Sequence, residues 1–506
     1  MDQRADSEAG APAFSSRFCA AKSRRYLLIA AILASALGFI DGTVVAIALP
    51  AMRDSLAATL SQSQWFSNAY MLTLSALILV GGAAGDRFGI ARVFRSGIVL
   101  FLIASLFCGI APTPGSLIAA RAVQGIGAAL MVPGSLALIA RTYPEEERGR
   151  AIGIWAAASA ATTAAGPLIG GALLSVSGNE AWRLLFLVNL PLGGIALYLL
   201  HRHVVEDAVT APAAKLDLPG AVLATIALGC IAFALTSGGH AEGAEPGQTI
   251  EGSGLSGLAL GLAGVGLAAL AAFLWVERQS PAPMMPLRLF TNANFSTANL
   301  ATFVLYFALS GILFFLPMTL IAGWGESALT ASLVFAPLTL AIALLSPRVG
   351  RWADRTGPRL PIALGSLLVA VGYGLMAVAA PFQAFWWGIL PGGTVAGLGM
   401  ALVVAPLSTA VMASAGRDAS GAASGVNNAV SRIAGLFAVA GFGPIAAAAY
   451  AGSGGPESFG ALTEAAGHAA AMSSAFATLA WIAAILAAAS ALITWLGLRT
   501  RQPARM

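Results

Sequence analysis

Gly82-Ala83-Ala84-Gly85-Asp86-Arg87-Phe88-Gly89 recurs, about half a chain later, as Gly350-Arg351-Trp352-Ala353-Asp354-Arg355-Thr356-Gly357. Both copies keep Gly, then Asp-Arg, then Gly at the same spacing. Each lies between the end of one apolar run and the start of the next. A polar connector duplicated in an otherwise apolar chain points to two homologous membrane bundles that move against each other, a common way of building a transporter.

Composition supports a lipid environment. Of 506 residues, 58% are hydrophobic and 10% charged. A soluble domain carries about 25% charge, so this chain cannot face water over most of its area. The 58 glycines, with abundant alanine, suit helices that pack closely without a hydrophobic drive between them. The net charge of +5 is spread over short connectors, which argues against a nucleic-acid partner. Cys19, Cys108 and Cys230 lie far apart, imply no disulfide framework or metal site, and are expected to be small hydrophobes.

Apolar runs long enough to span a bilayer recur fourteen times, at 26–50, 64–84, 94–111, 116–140, 150–174, 184–201, 217–237, 255–275, 295–322, 328–347, 360–380, 385–411, 425–450 and 474–497. The expected fold is an all-α integral membrane protein of two six-helix bundles plus two additional helices. Its units are a tail (1–25), an N-terminal bundle (26–201), a linking region with two peripheral helices (202–294), a C-terminal bundle (295–497) and a tail (498–506).

Most of the 27 Lys and Arg fall on one side of this layout, among them Arg4, Arg17, Lys22, Arg24, Arg25, Arg499, Arg501 and Arg505. The positive-inside rule then makes both termini cytoplasmic, in a bacterial cytoplasmic or inner membrane. Only Arg53 and Arg183 are assigned outside. The chain has no Gly-x-x-x-x-Gly-Lys-Ser/Thr loop, and Lys22 and Lys215 are its only lysines. No ATPase domain and no cofactor are expected, so an ion gradient is the expected energy source.

Asp41 and Arg121 are read as the only acid and the only base inside a span, and a charge within the bilayer is a functional candidate by default. Asp41 lies nine residues before Pro50, and Arg121 seven after Pro114, roughly 13 Å and 10 Å of helix from the same side. Similar depth makes them natural partners. Gln124, Gly125 and Gly127 follow Arg121 and suggest close helix packing. Gly166, Pro167, Gly170 and Gly171 form a second packing or hinge motif in the fifth run. Trp182 suits an interfacial anchor. Trp65, Asn68, Tyr70 and Thr73 are candidates for a substrate cavity. His201, His203, His240 and His468 suggest no metal site. The Gly257–Gly266 stretch imitates a phosphate loop, but its apolar run makes it a packing face.

Together these strings resemble the major facilitator superfamily, and within it the fourteen-helix drug/proton antiporters. The resemblance rests on Asp41, Thr43, Leu49 and Pro50; on Gly82, Asp86, Arg87 and Gly89; on Arg121, Gln124, Gly125 and Gly127; and on Gly166, Pro167, Gly170 and Gly171. The Trp182–Gly193 string and Pro286-Leu287-Arg288-Leu289-Phe290 add to it. Two basic residues usually follow Gly89 directly in that family; here Ile90 and Ala91 precede Arg92 and Arg95.

The resemblance implies a non-enzymatic, proton-coupled antiporter that exports amphipathic drugs or toxic small molecules by alternating access. Dedicated export of one endogenous metabolite is the alternative. A membrane-embedded enzyme would need a side-chain cluster that the four histidines do not provide, and a transport-inactive sensor would need a signalling domain. Asp41 and Arg121 are the expected proton-coupling pair. Desolvation favours the neutral carboxyl and a guanidinium favours the charged one. The duplicated loops, through Gly82, Asp86, Arg87, Gly89, Arg92, Gly350, Asp354, Arg355 and Gly357, are expected to latch the cytoplasmic side. Asp86 and Asp354 would accept from helix N-terminal amides. The expected partners are a small-molecule substrate, protons and the lipid bilayer, with a monomer as the working unit.

Overall fold

The computed structural model describes residues 23–205, 216–237, 257–281, 283–416 and 419–499, and is helical with no strand among them. Cys19, Lys22, Lys215, His240 and the basic residues Arg4, Arg17, Arg501 and Arg505 lie outside the described residues.

Among the described residues, fourteen helices are long and apolar enough to cross a membrane. They are α1 (Arg24–Ser55), α2 (Leu60–Phe88), α3 (Ile90–Gly109), α4 (Pro114–Thr142), α5 (Glu145–Ser177), α6 (Asn179–His203), α7 (Leu218–Ser237), α8 (Gly257–Gln279), α9 (Ala293–Gly323), α10 (Ala328–Thr356), α11 (Arg359–Phe382), α12 (Phe385–Ala415), α13 (Ser420–Gly452) and α14 (His468–Gly497).

Local chemistry sets several helix starts. At α2 the Thr59 side chain accepts from the Gln62 amide at 3.1 Å, while the Gln62 side chain accepts from the Thr59 amide at 3.0 Å. At α4 Thr113 and Ser116 make the same reciprocal pair, with Pro114 in the first helical position where no amide donor is needed. Helix ends are equally specified. Gly89 and Gly357 close α2 and α10 with φ of +97° and +81°, and each donates its amide to a carbonyl four residues back, Gly85 and Ala353. The duplicated motif therefore encodes one left-handed helix stop used twice.

Helices α1–α6 pack as one bundle and α9–α14 as another. Backbone contact holds the first tightly: a methyl group on Gly127 of α4 would lie 2.6 Å from the Phe101 amide nitrogen of α3. Thr73 of α2 donates to the Ala122 carbonyl of α4 at 2.8 Å. With little hydrophobic drive in lipid, such close approach and interhelical hydrogen bonding supply the cohesion.

The two halves meet along α2–α13 and α5–α10. On the first seam Gln64 donates to the Val439 carbonyl. On the second the Leu329 amide donates to Ser175 at 3.1 Å, and a methyl on Gly171 would meet the Ala328 carbonyl at 2.5 Å. The end of the molecule carrying Arg53 is closed over: Arg53 donates to the Phe459 carbonyl and to Ser458. Helices α7 and α8 pack on each other, and α7 lies against α2 and α13 from outside. A small apolar patch of Ala76, Leu228, Ala232, Leu436 and Ala440 joins α7 to both halves. Gly266 rests against Ile231 and Ala227, so the glycine run of α8 is a packing face.

Candidate functional site

Five helices of the first bundle bring polar side chains to one dry point. Asp41 comes from α1, Ser105 and Cys108 from α3, Arg121 and Gln124 from α4, Asn189 from α6 and Tyr70 from α2. Asp41 is 2% exposed, Arg121 1% and Gln124 fully buried. Arg121 donates through an η-nitrogen to Asp41 Oδ2 at 2.5 Å, and to Gln124 Oε1 at 2.5 Å. Its Nε donates to the Phe66 carbonyl at 2.8 Å. The guanidinium carbon lies 4.4 Å from the Tyr70 ring centre and 5.6 Å from that of Phe186. The matched depth of Asp41 and Arg121 in the sequence thus becomes a direct ion pair.

Gln124 is not the packing residue expected. Its Nε2 donates to Asp41 Oδ1 at 3.0 Å and to Ser105 Oγ at 3.0 Å, so both carboxylate oxygens are engaged. Asn189 also donates to Ser105 Oγ at 3.3 Å, and the Ser105 hydroxyl donates to the Phe101 carbonyl at 2.8 Å. Cys108 donates to Gln124 Oε1 at 3.7 Å. Such a network is held because each unmet polar group in a dry interior costs about 1–3 kcal/mol. Sequence reading missed Ser105. Its signal is weak, since a serine in an apolar helix ordinarily bonds the carbonyl four residues back, as this one also does.

The packing glycines sit around this point. Gly125 faces Thr73 and the Tyr70 backbone with no room for a side chain. Gly166 and Gly170 of α5 lie against Ile40, Thr43 and Val44 of α1, on either side of Asp41 in sequence, and Pro167 is buried between them. Gly171 turns instead to α10. The motif therefore seats α5 on the helix carrying Asp41 and on the opposite half together.

The duplicated loops differ from the expected latch. Asp86 accepts from the Arg141 side chain, in the last turn of α4, at 2.8 Å rather than from helix amides. Both partners are more than half exposed and belong to the same bundle. Arg87 lies over the Phe88 ring at 5.3 Å, Arg92 is exposed on the first turn of α3, and Gly82 approaches Pro133. In the second copy Gly350 has open space beside it, while Asp354 and Arg355 are exposed and form no ion pair among the described residues.

Of the four cavity candidates, only Tyr70 belongs to the site. Trp65 packs against Phe233 of α7 with ring centres 6.0 Å apart. Thr73 is tied to the α4 backbone, and Asn68 is fully buried with neither amide atom hydrogen-bonded. Trp182 is not an interfacial anchor: it is fully buried, edge-on to Phe186, with Arg183 stacked on it at 4.4 Å.

Asp41 and Arg121 are also not the only charges within helices. Glu277 is buried near the end of α8 and accepts from the Met285 amide at 3.1 Å. Arg432 lies midway along α13, where neighbouring alanines, glycines and valines keep the average apolar enough to hide it.

The profile of the Major Facilitator Superfamily matches residues 31–439. Multidrug resistance protein Stp of Mycobacterium tuberculosis is 33% identical over 411 residues, covering 81% of this chain and 73% of that protein. The methylenomycin A resistance protein of Streptomyces coelicolor is 33% identical, covering 82% of this chain and 85% of its own. The cephamycin export protein CmcT of Amycolatopsis lactamdurans is 35% identical, covering 82% and 83%. In shape, a bacterial homologue of the human lysosomal transporter Spinster, solved inward-facing and unoccupied, matches with a TM-score of 0.65 at 19% identity, covering 96% of this chain and 100% of that one. The xylose transporter XylE from E. coli, partially occluded and inward open, matches with a TM-score of 0.58 at 15% identity, covering 93% and 98%. With fourteen apolar helices in two six-helix bundles and a linking pair, this chain is a multi-pass membrane transporter and belongs to the major facilitator superfamily.

Proposed function

We propose that the protein is a proton-coupled antiporter that exports amphipathic drugs or toxic small molecules by alternating access, with both termini in the cytoplasm. The observation that carries this reading is the Asp41–Arg121 pair, dry and bonded on every side. The names of the multidrug and antibiotic-resistance relatives support the export of small molecules.

The charged carboxylate accepts from Arg121 on one oxygen and from Gln124 on the other. A proton on Asp41 turns one acceptor into a donor, so one of these bonds must yield and Arg121 loses its counter-charge. The strain is delivered to α1. Helix α5 is seated on α1 through Gly166 and Gly170, and on α10 through Gly171. Protonation in the first bundle thereby reaches the seam with the second. Release of the proton on the opposite side resets the pair. In this orientation the Arg53 end is external, and Asp86 and Asp354 lie on the cytoplasmic side, where they would have to take new partners to latch that face closed.

The test is transport into inverted vesicles across cationic, neutral and anionic compounds, with an imposed pH gradient. The wild type should concentrate substrate when the lumen is acid, and Asp41→Asn should lose that accumulation while retaining downhill exchange. Accumulation driven by the gradient in Asp41→Asn would place coupling elsewhere.

A further inference from the structure

Arg432 is a cation inside a membrane helix with no counter-charge. Its Nε donates to Asn428 Oδ1, one turn earlier, at 3.1 Å. Its two terminal nitrogens donate to no group among the described residues, and none of the ion pairs there includes it. The side chain is half-buried. The titratable groups within its electrostatic reach are Tyr70, on α2 of the first bundle, and Tyr306, on α9 of the second. One turn further along α13, Gly435 faces Met71 of α2 and Ser310 of α9, which places this side of the helix on the seam between the halves. Other polar groups of the same turn are already occupied: Asn427 donates to Asn299 at 3.2 Å and to Thr302 at 2.9 Å.

Charge accounting at the centre then has a definite sign. Asp41 and Arg121 cancel, which leaves Arg432 as one net positive charge between the bundles. A bilayer charge is costly and is normally matched by a partner. An arginine held by Nε, with both terminal nitrogens unspent, presents the planar fork that suits a carboxylate. We propose that Arg432 is a substrate-binding residue and that the seam beside it takes amphipathic anions bearing a carboxylate, in preference to cationic compounds. This rests on the reading of the chain as an exporter of small molecules and names their charge class. The carboxylate would dock on the Arg432 fork, with Tyr70 and Tyr306 flanking its apolar body.

Equilibrium binding to the purified protein in detergent tests this without a pH gradient, so a failure of proton coupling leaves its result intact. The probes are three of matched shape: naphthoate, naphthamide and naphthylmethylammonium. Naphthoate should bind more tightly than either by about tenfold, the equivalent of about 1.4 kcal/mol. Arg432→Gln should remove that preference by weakening naphthoate far more than naphthamide. Arg432→Lys keeps the charge but loses the fork, so the preference should shrink without vanishing; it decides the matter if Arg432→Gln does not fold. Equal affinity for the three probes, preference for the ammonium, no binding of naphthoate, or an undiminished preference in the variants would each overturn the proposal.

Discussion

Arg53, near the end of α1, donates to Ser458 Oγ at 2.5 Å and also to the Phe459 carbonyl, joining the first bundle to the segment between α13 and α14 of the second. The guanidinium is 8% exposed, so this clasp is shielded from competing water. Losing charge-assisted hydrogen bonds of this kind costs about 1.5–3 kcal/mol each. Arg53→Ala should therefore loosen this end of the molecule. A cysteine at Ala446, buried on α13, placed in a background lacking Cys19, Cys108 and Cys230, should react faster with a membrane-impermeant maleimide by about tenfold. An unchanged rate would mean that the end is held shut by packing alone.

Removing one member of a buried ion pair strands the other. Arg121→Ala should destabilise the protein by about 3–5 kcal/mol, read as a lowered unfolding midpoint in detergent. Pairing Asp41→Asn with Arg121→Gln should cost less than the sum of the single changes, because the two groups form one network. Additive losses would show that the pair is not coupled.

The carboxylate bridge at the other end should behave differently. Asp86 and Arg141 are both more than half exposed, and such pairs contribute less than about 1 kcal/mol. Asp86→Asn should leave the unfolding midpoint nearly unchanged. If Asp86 latches the cytoplasmic face in another state of the cycle, the same variant should raise thiol labelling of a cysteine probe on that face. A large stability loss with unaltered labelling would make the residue structural.

Close packing of α3 on α4 leaves no space at Gly127. Gly127→Val should disturb the bundle by about 1–3 kcal/mol or more and lower the yield of folded protein. A variant with native stability would show that α3 and α4 can separate freely.

The span pattern was legible because a bilayer demands a fixed apolar length, and the left-handed stops at Gly89 and Gly357 were legible because only one residue type suits them. Asp41 and Arg121 could be paired from depth alone. Ser105 and the role of Gln124 could not. A hydroxyl or amide in an apolar helix reads alike whether it bonds its own backbone or a neighbouring helix. Trp182 reads as an interfacial ring beside Arg183, yet the turn at the start of α6 buries it. Arg432 escaped notice for an opposite reason: a single charge scarcely alters the mean of an alanine-rich run. Trp65 could not be placed on α7 because the order of helices around the bundle is not written in any one segment.

The patch formed by Ala76, Leu228, Ala232, Leu436 and Ala440 makes the two seams between the halves unequal. Helix α7 covers the α2–α13 seam from outside, and α8 packs on α7. The α5–α10 seam has no such cover among the described residues, and Ile169, Val176, Leu340 and Leu344 of these helices are 54–86% exposed. The two sides of the molecule are thus unlike: one seam is backed by an extra helix pair and the other is bare among the described residues.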